Sequence, residues 1–140
     1  RRTVTTKVAT ELIARLRKAT GMPLLAAREA LSQFPPDQQI TMVEAAEQDG
    51  SGILRDPIEQ DPVAGPIIET VLKAVSVRVR EEHKQRMDDL RKTSPQMADF
   101  LSTGRGLCHR IWYDAKQLLE SEHQISWRTP AEMNPQCAFD

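Results

Sequence analysis

Residues 67–91 read IIETVLKAVSVRVREEHKQRMDDLR, and this stretch decides the fold class. Val71, Val75, Val79, His83, Met87 and Leu90 recur at steps of three or four, the spacing that places them on one stripe of an α-helix. On the opposite faces Glu82 stands four residues before Arg86 and Asp88 four before Lys92. Such pairs support a solvated helix by roughly 0.2–0.5 kcal/mol each. The stripe is expected to organise a helical lobe, or to pair with its own copy in a homodimer through residues 67–91. It is longer than a short partner helix covers.

Working outward from this helix, the chain stays helical on both sides. Downstream, Ser94-Pro95 restarts a short helix through Leu101, closed by Thr103-Gly104. Leu107 to Glu120 is amphipathic, with Leu107, Ile111, Ala115, Leu118 and Leu119 expected inside. Ile125-Ser126-Trp127 reads as extended, and Thr129-Pro130-Ala131-Glu132 is a capping-box sequence for a last turn. Upstream, residues 53–66 (ILRDPIEQDPVAGP) hold two Asp-Pro steps and one Gly-Pro step. Each proline biases its predecessor to extended geometry, so this acidic stretch is expected to be a linker or a surface strap.

Before it lie three helical patterns. From Thr5 or Thr6 as N-cap, Val8, Leu12, Ile13, Leu16 and Ala19 lead to Gly21 as C-cap. Pro23 opens a second helix carrying Leu24, Ala27, Leu31 and Phe34. Pro36-Asp37 opens a third, with Ile40, Val43 and Ala46 expected inward. The fold expected is all-α: a three-helix lobe over residues 1–52, a linker over 53–66, and a helical lobe over 67–140 built on one long helix.

Composition bounds the function. In 140 residues, 19 Lys and Arg oppose 20 Asp and Glu, and 39% of the chain is hydrophobic. That balance excludes a polybasic nucleic-acid tail and an acidic solvating tail. No run reaches 18 apolar residues, so no membrane span is expected. Two cysteines do not make a secreted disulfide framework, and reduced thiols in the cytoplasm are the expectation.

The string RLRKATGMPLLAAREALSQFP, residues 15–35, carries Leu16-Arg17, Thr20-Gly21, Leu24, Ala27-Arg28 and Ala30-Leu31. Over residues 8–48 this resembles two translation families. One is the ubiquitin-associated-like domain of elongation factor Ts, and the other is the C-terminal helical hairpin of the ribosomal stalk protein. Ala14 stands where the stalk pattern has lysine, Pro23 where it has its second glycine. The resemblance implies a hairpin module that engages a translational GTPase or the ribosome, with Ile13, Arg17 and Arg28 at the contact positions. A translation factor or ribosomal protein is the partner it implies.

The last third of the chain offers other chemistry. Arg105, His109, Tyr113 and Lys116 fall on one outer helix face, flanked by Arg110 and Arg128. That basic face would suit RNA or another anion, with Tyr113 to stack. Cys108, His109, His123 and Cys137 are ligand types for zinc, but adjacent or distant spacing departs from the two-to-four-residue pairs of structural sites. Cys108 is therefore expected in the core, with Trp112 and Trp127 closing it. No G-x-S-x-G, P-loop, dinucleotide fingerprint or H-E-x-x-H occurs, so neither a catalytic residue nor a cofactor is assigned. A non-catalytic interaction protein leads; an RNA-binding helical protein and a small metal-binding or catalytic protein are the alternatives.

Overall fold

The computed structural model describes residues 7–101, 104 and 106–139. It is all-α, with seven α-helices and one 3-10 turn and no strand among the described residues. The helices are α1 (Thr10–Thr20), α2 (Leu24–Ser32), α3 (Pro36–Asp49), α4 (Ala64–Thr93), α5 (Pro95–Leu101), α6 (Leu107–His123) and α7 (Pro130–Met133); the 3-10 turn is Pro57–Gln60. They form two compact units. One takes the chain as far as Pro62 together with Arg128–Cys137; the other takes Val63–Trp127 and the last residues from Ala138.

The first unit closes over one apolar core. Ile13 and Leu16 of α1, Ala27 and Leu31 of α2, Phe34, and Met42, Val43 and Ala46 of α3 meet there with Met22, Leu54 and Met133. Gly21 ends α1 at φ +75°, its amide donating to the Arg17 carbonyl at 2.8 Å. A side chain would strain that left-handed cap. The N-cap expected at Thr5 or Thr6 lies outside the described residues; α1 begins at Thr10, after Ala9. Ile40 is 45% exposed, contrary to expectation, while Gln39 is buried. The Gln39 amide donates to the Phe34 carbonyl at 2.8 Å, and Ile40, the next residue, lies about 100° further round the helix. Leu24 also faces out, at 44%.

The proline-rich stretch is a strap built into this unit. Leu54 and Asp56 are buried, and the Asp56 carboxylate accepts from the Ile58 amide at 3.1 Å and the Arg128 amide at 2.8 Å. Asn134, fully buried, works like a strand partner. Its Oδ1 accepts from the Leu54 amide at 2.8 Å, and its Nδ2 donates to the Leu54 and Pro130 carbonyls at 2.7 and 2.8 Å. These bonds place residues 128–137 in the first unit, apart from the 67–140 stretch the sequence suggests. The Thr129–Glu132 capping box is formed as expected.

In the second unit α4 packs against α5 and α6. The expected stripe is there: Val75, Val79 and Met87 are buried, while Val71, His83 and Leu90 are half-buried. Ile111, Ala115 and Leu119 of α6 and Ala98 of α5 are buried with them. Packing within one chain therefore occupies the seam that the sequence offered to a homodimer. α4 starts three residues before the expected Ile67 and absorbs the Gly65-Pro66 step. Proline in a first turn loses only an N–H that has no helical partner, and Gly65 has no Cβ to clash with its ring.

Asn134→Ala should lower stability by about 3 kcal/mol, because the Leu54 N–H and C=O are left buried without partners. Thr129→Ala, which removes only the cap, should cost about 1 kcal/mol. Urea unfolding of the two variants beside the parent checks the difference.

Candidate functional site

The α1–α2 hairpin is built by its own polar groups. The Thr20 hydroxyl donates to the Leu16 carbonyl at 2.8 Å and accepts from the Met22 amide at 3.3 Å. Arg17 Nε donates to the Met22 carbonyl at 3.3 Å, so its guanidinium lies along the turn that leads into α2. On the far side of α1, Arg15 grips Glu47 of α3 with two bonds, at 2.7 and 3.1 Å. This pair raises the Arg15 pKa and holds the Glu47 carboxyl below its ordinary range, chiefly through the side-chain hydrogen bond. α1 is thereby committed to α3, and one flank of α2 is left to solvent.

That flank carries Leu24, Leu25 and Arg28, which one helical turn brings together. Leu24 is 44% and Leu25 71% exposed. Arg17 and Arg28 are exposed as well, and among the described residues neither faces a carboxylate partner. Of the three contact positions implied by the resemblance, the two arginines reach the surface and Ile13 does not. Ile13 is 5% exposed, packed in the core cluster with Leu16. Leu25 was invisible to the periodicity because an exposed leucine and a buried one are the same letter.

The basic face on α6 is distributed differently from its sequence outline. Arg105 lies outside the described residues. His109 Nε2 is 2.7 Å from the Phe139 carbonyl oxygen, and its ring meets the edges of Trp112 and Phe139. Tyr113 is 63% exposed, and Lys116 is half-buried. Arg110 reaches Glu82 at 2.6 Å and Asp114 at 3.8 Å. Arg78 completes the circuit, at 3.1 Å from Glu82 and 3.2 Å from Asp114. Glu82 thus pairs across helices and back to Arg78, not forward to Arg86, and Asp88 pairs with Arg91 in place of Lys92. Arg128, in the first unit, pairs with buried Asp56 at 3.6 Å.

The cysteines and histidines do not converge. Cys108 is half-buried, and His123 and Cys137 are exposed. Among the described residues no group of three or more His, Cys, Asp or Glu could hold a metal ion. No helix of the described residues is long and apolar enough to cross a membrane. No family model, curated protein or solved structure matches the chain.

The four-charge circuit gives a pH signature. Hydrogen bonding to Arg110, and then to Arg78, holds the Glu82 carboxyl below its ordinary range. A depressed carboxylate adds stability above its unfolded pKa and loses it as pH falls through the folded value. The thermal midpoint should therefore drop on acidification below the ordinary glutamate pKa of about 4.3. Glu82→Gln should flatten part of that drop, and high salt should mute the difference, because the pair is exposed. Thermal melts across pH at two salt concentrations measure both effects.

Proposed function

We propose that this chain is a non-catalytic protein-interaction module that docks through its α1–α2 hairpin. The observation that carries the reading is the pair of exposed leucines, Leu24 and Leu25, set between Arg17 and Arg28. Exposed apolar groups beside arginines match the composition of protein interfaces, where arginine is enriched and other charges are depleted. An arginine with no carboxylate at hand in its own chain suits a carboxylate on a partner, bound bidentately. The partner surface is accordingly an apolar patch fringed by Asp or Glu.

The resemblance of residues 8–48 to the hairpins of elongation factor Ts and the ribosomal stalk supplies the class of partner. It points to a translational GTPase or the ribosome, and so to a cytoplasmic site of action. Ile13, as a core residue, supports the hairpin from within and makes no contact in this reading.

The test is direct binding of the full chain to a purified translational GTPase and to ribosomes, followed by fluorescence anisotropy. Arg17→Glu and Leu25→Asp should each weaken binding about tenfold or more, equivalent to about 1.4 kcal/mol. His109→Ala on α6 should leave it unchanged. Binding that survives both hairpin variants would remove the docking surface from consideration. Failure of the parent chain to bind either probe would remove the translational partner.

A further inference from the structure

In the second unit α4 and α6 run antiparallel: Arg78 of α4 meets Asp114 of α6, and Glu82, one turn further on, meets Arg110. α6 begins at Leu107, three residues before Arg110. Beyond Glu82 this face of α4 has therefore run past α6, and the helix packed beside it is α5. Between α5 and the last turns of α4 lies an open groove of about 740 Å³, whose lining includes Arg86, Asp89, Leu90, Met97 and Leu101. A small ligand needs a concave site that buries most of its surface. An open trough of this size suits another protein surface.

α5 buries Ala98 and turns its larger apolar side chains outward. Met97, Phe100 and Leu101 are all exposed, Phe100 at 75%, and at i, i+3 and i+4 they share one helix face. Single exposed apolar residues are ordinary, but a contiguous patch marks an interaction surface. Phe100 stands outside the groove lining, so an exposed ring and an apolar recess occur side by side on one surface. The charges of the groove choose the occupant. Glu82 is matched by Arg78 and Arg110. Arg86 is exposed and meets no carboxylate among the described residues. Asp89 takes a bond from the Gln85 amide at 3.1 Å, a neutral donor that leaves the carboxylate its charge. One cation and one anion, a helical turn apart, give the lining no net sign and select neither an acidic nor a basic partner. They complement themselves instead, because a two-fold axis between them sets the arginine of each copy opposite the aspartate of the other.

We propose that this groove is the interface of a two-fold homodimer. Phe100 of each copy enters the groove of the other, against Leu90, Met97 and Leu101, and Arg86 of each pairs with the partner's Asp89. This face is distinct from the Val75–Val79 seam, which is occupied within the chain, and the proposal does not rest on the docking reading of the α1–α2 hairpin.

The experiment is sedimentation equilibrium of the full chain over a concentration series. The parent should follow a monomer–dimer equilibrium with a micromolar Kd. Phe100→Asp, at an exposed position, should weaken association about tenfold or more in protein whose circular dichroism is unchanged. Arg86→Asp and Asp89→Arg should each do the same alone, because each sets like charges opposite one another at both symmetric contacts. An equimolar mixture of those two variants should recover the parent's association, since every pair in the mixed dimer is again of opposite sign. A parent that stays monomeric at millimolar concentration overturns the proposal and gives the groove to a foreign chain. A dimer indifferent to Phe100→Asp, single charge variants that associate as the parent does, or a mixture that stays monomeric would each overturn it as well.

Discussion

The buried amide of Asn134 is the interaction on which the first unit depends. Three helices of 9 to 14 residues make a small core, and small cores bury too little surface to be stable by area alone. Asn134 answers this by joining the strap to the C-terminal segment, 80 positions apart in sequence, through both polar groups of Leu54. Leu54 and Met133 then enter the core from two distant parts of the chain. A buried side-chain amide used this way tolerates no simple replacement, since each lost bond strands a main-chain group away from water. Asp56 repeats the device beside it, holding the Ile58 and Arg128 amides with its two oxygens.

The same stitching shapes both faces of α2. Its core side, Ala27 and Leu31, is fixed by α1, α3 and the strap together. α1 is further tied to α3 by Arg15 and Glu47, so nothing from α1 folds over Leu24 and Leu25. On the other flank Ala26 and Ala30 line a cleft of about 120 Å³ with Met133, Pro135 and Gln136 of the returning segment. A short helix thereby presents two surfaces, one exposed with Leu24, Leu25 and Arg28, the other lining a cleft. Both follow from what the long-range polar bonds hold in place.

Local signals in the sequence carried most of the helices. The stripe of α4, the Gly21 cap, the Pro95 restart and the Thr129–Glu132 box are all short-range patterns, and each is present. What the residues did not disclose is long-range. No periodicity reveals that Asn134 reaches Leu54, so the return of residues 128–137 to the first unit was hidden. The Gly65-Pro66 step looked like a helix stop because its position relative to the helix start was unknown. Ile13 was legible as an apolar helix residue but not as a core one, since an amphipathic hairpin has two apolar edges and only packing chooses between them. The cleft was illegible for a related reason: alanine at 26 and 30 is an ordinary helix former until a wall stands opposite.

The arginines divide into those that meet carboxylates in their own unit and those that do not. Arg15, Arg55, Arg78, Arg91, Arg110 and Arg128 all meet carboxylates within their own unit. Exposed pairs of that kind contribute little to stability, but they occupy guanidinium groups and neutralise the faces on which they sit. The α6 face is an example, for its Arg110 closes a circuit with Glu82, Asp114 and Arg78, which lowers the local field available to an anion. Arg17 differs, being held by the Met22 carbonyl, a neutral acceptor that orients the side chain and leaves its charge intact. A guanidinium already oriented loses less side-chain entropy on binding. The hairpin thus carries an oriented arginine as well as the exposed Leu24 and Leu25.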